Sequence, residues 1–172
     1  MADLNTIIEK YNGALQIIDG KVCKVVEDSE RYINSLKDFV ENGYFICEFG
    51  SWKGDFNCDG LNLTSLKGCP EEVTGTFDCH KNPITSLNGC PKKVGKDFIC
   101  NHCPNLDSYS GCPDEVPQDF VAYNNKGIKD LFGTPSKIGR NCDVSDGGLV
   151  DLSGKPESIG GQFITIGNKG LK

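Results

Sequence analysis

From Phe56 onward the chain repeats itself every 21 or 22 residues. Segments opening at Phe56, Phe77, Phe98, Phe120, Cys142 and Phe163 fit one consensus, Phe-x-Cys-x-x-Asn-x-Leu/Ile-Thr-Ser-Leu-x-Gly-Cys-Pro-x-x-Val-x-x-x. A unit this short cannot bury a core alone, so the units are expected to stack into a solenoid. Within each unit, Phe-x-Cys alternates in the strand sense. Phe77 and Cys79 therefore point to one side, and Thr76, Asp78 and His80 to the other. The first set is expected inside. Leu63, Ile84, Leu106, Ile128 and Leu149, followed three residues later by Leu66, Leu87, Leu131 and Leu152, should line the opposite wall from within. Gly-Cys-Pro turns the chain back, with proline fixing one backbone angle and removing a donor. Val73, Val94, Val116, Ile138 and Ile159 add an inward residue before the next strand.

Residues 1–44 do not repeat and read as an α/β cap on a solenoid of residues 45–172. Asp3 or Thr6 caps a helix running to about Tyr11, ended by Asn12-Gly13. Asp19-Gly20 between Leu15–Ile18 and Val22–Val26 predicts a hairpin. Ser29 opens a second amphipathic helix, with Tyr32, Ile33, Leu36, Phe39 and Val40 on one face and Asn42-Gly43 after it. Such a cap would cover the apolar cross-section and strand edges of the first coil. The fold class is thus α+β: a helix and hairpin cap, then a β-rich solenoid of about six coils.

The net charge of −6 and pI near 4.9 argue against a partner held through phosphates, which needs clustered Lys and Arg. Neither a long apolar run nor a basic, hydrophobic N-terminus is present, so a soluble protein acting in the cytoplasm, with no nucleic acid and no membrane as partner, is expected. Most of the ten cysteines fall into repeat columns, Cys58, Cys79 and Cys100 in one and Cys69, Cys90 and Cys112 in the other. Free thiols packing as small apolar groups explain such columns better than disulfides do.

The pattern resembles the leucine-rich repeat, above all its short bacterial-effector kind, Leu-Pro-x-x-Leu-x-x-Leu-x-Val-x-x-Asn-x-Leu-Thr-x-Leu-Pro. Pro91, Val94, Phe98 and Cys100 answer to its first part, and Asn82, Ile84, Thr85, Leu87 and Pro91 to its second. It is also similar to uncharacterised repeat proteins of tailed bacteriophages, which share a stretch like Glu9 to Gly13 and Ile18 to Val22. There are departures: one extra residue separates Val from Phe, Tyr109 interrupts the second leucine row, Leu61 replaces the first Asn, and Ala122 and Val144 replace Cys. The resemblance implies a scaffold and no particular ligand. The effector family's ubiquitin-transfer activity is not carried over.

Stacked strands ~4.8 Å apart would align outward residues in columns along a ladder on the order of 25 Å long. One column reads Asp55, Thr76, Asp97, Asp119, Asn141; a second reads Asn57, Asp78, Ile99, Val121, Asp143; a third reads Asp59, His80, Asn101, Tyr123. Asp55, Asn57, Asp78, His80, Asp97, Ile99, Asp119, Val121 and Tyr123 are the candidate partner-binding residues, suited to a basic protein surface with an aromatic anchor. The bland alternative is a merely solvated face. Cys79-His80 does not form a nucleophile and base, because strand neighbours face opposite ways. Cys100-Asn101-His102-Cys103 lacks the second ligand pair of a structural zinc site. No catalytic residue, metal or cofactor is assigned. In the last coil Phe163, Ile164, Ile166 and Leu171 are candidate contacts of a homodimer.

The expected function is non-enzymatic protein binding, in its most concrete form a phage-encoded inhibitor or decoy of a host protein such as a defence enzyme. The alternatives are a small-ligand or nucleotide-signal sequestering protein and, ranked lower, a zinc- or cysteine-dependent enzyme.

Overall fold

The computed structural model describes residues 3–26 and 36–172. These form a β-solenoid of about five turns spaced by about 21 residues, mostly short strands with one short helix. No helix among the described residues is long and apolar enough to cross a membrane.

The N-terminal helix α1 spans Leu4–Glu9, shorter than the sequence suggests, and Asp3 precedes it without a side-chain cap bond. Asn12 and Gly13, both at positive φ, then turn the chain. Strand β1 (Leu15–Ile18) pairs antiparallel with β2 (Lys21–Lys24) around Asp19 and Gly20, whose φ values of 50° and 77° suit the tight hairpin turn. The helix expected from Ser29 falls largely on residues outside the description. From Leu36 onward there is no α-helix: a 3-10 turn at Lys37–Phe39 leads into β3 (Val40–Glu41), antiparallel to β4 (Tyr44–Phe45). Asn42-Gly43, read as a helix terminator, is instead a hairpin turn, with φ of 50° and 83°. Of the predicted apolar side, Tyr32 and Ile33 lie outside the described residues, Leu36 and Phe39 are buried and Val40 is half-buried. Spacing alone does not separate one helical turn from a 3-10 turn followed by a strand.

Strand β5 (Phe49–Trp52) runs parallel to β2 and carries the cap's sheet into the solenoid. Each coil then contributes two two-residue strands. The front sheet stacks Phe56–Asn57, Phe77–Asp78, Phe98–Ile99, Phe120–Val121, Cys142–Asp143 and Phe163–Ile164 in parallel, with Phe56 opposite Phe77 and so on in strict register. The back wall continues from β5 through Glu72–Val73 and Lys93–Val94, then breaks. Glu115–Val116, Lys137–Ile138 and Ser158–Ile159 form a separate ladder. The break has a local cause. Within the second ladder Gly139 N–H donates to Val116 O and Gly160 N–H to Ile138 O, whereas Pro117, at the same position, has no N–H to give to the coil before it.

The core follows the repeat. Phe56, Phe77, Phe98 and Phe120 are fully buried in one column with centroids 5.2 to 5.9 Å apart, Phe56 on Phe77 and Phe98 on Phe120 stacked and Phe77 on Phe98 tilted by 40°. Phe45, Phe49 and Trp52 close the N-terminal end of the stack edge-on against Phe56. At the other end Cys142 replaces phenylalanine and the stack stops. The leucine and isoleucine rows are buried as expected from Leu63 to Leu149. Leu152 is the exception, 37% exposed. The Tyr109 departure is compensated locally. Its ring packs edge-on against Phe120 and its hydroxyl donates to Ala122 O at 3.3 Å, so the larger side chain lies beside the site where alanine has replaced cysteine.

Two-residue strands hold few bonds, and buried carboxamides add to them. Asn82 Oδ1 accepts from Leu63 N–H at 2.8 Å, while its Nδ2 donates to Cys58 O of the preceding coil and Cys79 O of its own. Asn125 and Asn168 repeat this arrangement, Asn125 gripping Cys103 N–H and the Cys100 and Ala122 carbonyls, Asn168 gripping Leu149 N–H and the Val144 and Thr165 carbonyls. The coils between hold different residues at this position. Cys103 offers only weak thiol bonds, one of them to Cys79 O, and at Gly147 a Cβ would lie 2.9 Å from Asn168 Oδ1. The carboxamides therefore tie the coils in pairs. Asn82→Ala should strand a buried N–H and the carbonyls it serves, costing about 2 to 4 kcal/mol in urea unfolding, whereas Thr85→Ala on the exposed turn should stay within about 0.5 kcal/mol.

Candidate binding face

The front sheet places the outward residues in the three columns read from the sequence, but gives the columns different work. In the first, the carboxylates are ties between coils. Asp55 Oδ1 accepts Thr76 N–H at 2.7 Å, Asp97 Oδ1 accepts Asp119 N–H at 2.9 Å, and Asp119 Oδ1 accepts Asn141 N–H at 2.8 Å. Asn141 does the same for Gln162 N–H at 2.9 Å with an amide oxygen. Basic residues approach from the neighbouring corner, Lys96 at 3.9 Å from Asp55 and Arg140 at 3.7 Å from Asp119. A carboxylate here is thus half engaged before any partner arrives.

In the second column the polar residues form local Asx turns. Asn57 accepts Asp59 N–H at 2.9 Å, Asp78 accepts His80 N–H at 3.0 Å, and Asp143 accepts Ser145 N–H at 3.0 Å. Ile99 and Val121 stand in the same column, half-buried, in the middle of the sheet. In the third column His80 Nδ1 lies 2.7 Å from Asp78 Oδ1, with its Nε2 3.8 Å from Asp59. Asn101, buried, donates through Nδ2 to His102 Nδ1 at 2.7 Å, and the His102 ring meets Tyr123 edge-on at 4.9 Å. His102 and Lys81 hold φ of 56°, a left-handed conformation that costs energy for residues with a side chain of this size. The structure therefore gathers His80, Asn101, His102 and Tyr123 beside Ile99 and Val121, a half-buried strip edged by Asp59 and Asp78.

Of the last-coil candidates, Phe163, Ile164 and Leu171 are half-buried and Ile166 is 73% exposed. Phe132 and Val150, which the sequence did not single out, are exposed on the adjoining turns. Their signal was present, since both are apolar at positions held by Lys67 and Thr64 in the first coil.

Cys79 and His80 lie on opposite faces, the thiol wholly buried and the imidazole outside. Among the described residues no three His, Cys, Asp or Glu side chains are placed to hold a metal ion. All ten cysteines are free. Burial pushes the Cys47, Cys90 and Cys142 thiols up to about 12 and Cys103 to about 11, and raises Cys58, Cys79 and Cys100 well above the usual thiol range. A nucleophilic cysteine needs the opposite shift.

No family model, curated protein or solved structure matches this chain, so the face must be read from its own residues.

The thiols give a measurable signature. At about pH 8 an aromatic disulfide reagent should titrate the native chain slowly and all ten cysteines after unfolding. The sign of the pH effect follows from the raised values. Unfolded thiols ionise from about the ordinary 9.0 while Cys90 and Cys142 stay protonated to about 12, so stability present below pH 9 is lost as pH rises between those limits. The urea midpoint should fall from about pH 8 to about pH 10, each such thiol contributing up to roughly 1.4 kcal/mol per pH unit above 9.

Proposed function

We propose that this chain is a non-enzymatic protein-binding module, a leucine-rich-repeat-like scaffold of about six coils whose front face holds a basic surface of a host protein. In its most concrete form it is a phage-encoded inhibitor or decoy of a defence protein, acting in the host cytoplasm. One observation carries the reading: the fixed register sets an aromatic and aliphatic strip, Ile99, Val121 and Tyr123, among aligned carboxylates. Apolar anchors supply affinity in such surfaces, and charges steer and select. Because the carboxylates of Asp55, Asp97 and Asp119 are tied to the next coil, their part is mainly the field they project. Direct contact falls to Asn57, Asp78, His80, Ile99, Val121 and Tyr123. The ligand-sequestering alternative calls for convergent cations, which this face lacks, and a thermal shift with a nucleotide would favour it.

Charge and fold can be separated here, because Asn141 already makes the inter-coil tie with an amide oxygen. Asp97→Asn with Asp119→Asn should leave the melting curve in place and weaken capture of a basic partner about tenfold, more at low salt than at high. Ile99→Ala with Tyr123→Ala should weaken capture by about 2 kcal/mol or more at any salt. If both double variants bind the same bacterial proteins as the parent with equal strength, the front face is not the binding surface.

A further inference from the structure

On the back wall Glu72 stands opposite Lys93 and, beyond the break in the ladder, Glu115 stands opposite Lys137, all four exposed at the same position of successive coils. The row alternates in sign, and its side chains are 61 to 75% exposed. Within the chain Lys93 lies 3.8 Å from Glu72, and Lys137 lies 2.6 Å from Glu115. The break in the back ladder falls between these two ion pairs, at Pro117. A groove of about 580 Å³ opens there, lined by Val73, Thr74, Val94, Gly95 and Pro117 together with Glu72, Lys93 and Glu115 of the charged row.

We propose that this back face receives a second copy of the same chain, related by a two-fold axis through the groove. Rotating a minus-plus-minus-plus row by half a turn about its centre reverses its order. Glu72 then faces Lys137 of the second copy, and Lys93 faces Glu115 of the second copy. Every charge in the row meets an opposite one, and each kind of pairing occurs twice, since an isologous contact repeats it. In the adjoining row Lys92 and Asp114, on either side of the same centre, are also of opposite sign. Beside the charged row Thr74, Gly95, Pro117 and Gly139 are exposed with small side chains or none, so the long charged side chains of one copy can lie along the flat strip of the other. The chain's own ion pairs are solvent-exposed and individually weak, so sharing them across an interface costs little. The alternation is not required by stacking: the front sheet's first column runs Asp97 to Asp119 without it.

A footprint of four such strands is on the order of 400 to 500 Å² per copy, the small end for a specific interface. The dimer should accordingly be weak and held by charge, and thus salt-sensitive. Sedimentation velocity at about 100 μM chain should show dimer in about 20 mM salt, with the dissociation constant rising at least tenfold in about 500 mM salt. Lys93→Glu and Glu115→Lys should each be monomeric alone. Mixed in equal amounts they should form a heterodimer, because the carboxylate introduced at position 93 of one then faces the ammonium introduced at position 115 of the other, and the rescue also shows that both variants fold. Ile166→Asp, on the exposed C-terminal coil, should remain dimeric. The proposal is overturned if the parent is monomeric in low salt, if the mixture stays monomeric, or if Ile166→Asp abolishes the dimer. These tests read assembly in the absence of any host protein, so their outcome is independent of whether the front face binds one.

Discussion

Strict register between successive coils is the constraint on which everything else in this molecule depends. A two-residue strand makes too few bonds to fix its own alignment, and a slip by one residue would turn every phenylalanine and cysteine outward. Three buried asparagines oppose that slip, because each carboxamide bonds backbone groups of two coils at once. A carboxamide supplies a strong donor and a strong acceptor, where leucine supplies neither and cysteine only weak ones. The phenylalanine stack adds apolar burial but tolerates sliding. The asparagines supply the directional part of the specification, on alternate coils.

That division explains why the acidic front column is less available than its exposure suggests. Asp55, Asp97 and Asp119 perform on the outside the task that the asparagines perform inside, each accepting an N–H from the coil above. A residue that stabilises the ladder and projects charge to solvent would be read as a binding residue from sequence and as a clamp from structure. Both descriptions hold, since a carboxylate with one oxygen engaged still carries its charge. What differs is the substitution that separates them: the amide keeps the tie and removes the charge.

The repeat alone made the solenoid legible, because a spacing of 21 or 22 residues with strand-sense alternation admits few architectures. It also placed the inward rows from Leu63 to Leu149 and the outward columns of the front sheet. Three features escaped it. Asn42-Gly43 serves equally to end a helix or to turn a hairpin, and the choice rests on how Phe39 and Phe45 pack around the first coil, which spacing does not encode. Leu152 holds the row position of the buried Leu66, Leu87 and Leu131 and yet is 37% exposed, so a place in the row does not by itself set burial. The alternation at Asn82, Cys103, Asn125, Gly147 and Asn168 was visible as a blurred consensus, and only its hydrogen bonds show that the coils are tied two by two.

Front and back faces are mechanically separable in such a fold. Each coil touches only its neighbours, so coupling between distant positions must pass through every intervening interface. Across a single coil, however, the two faces are joined by a few residues: between Val94 on the back and Phe98 on the front, only Gly95, Lys96 and Asp97 intervene, and Lys96 and Asp97 already reach the adjoining coils through Asp55 and Asp119. Lys96, 3.9 Å from Asp55, and Arg140, 3.7 Å from Asp119, stand at this corner, so the field of the front carboxylates is partly offset there before it reaches the back face.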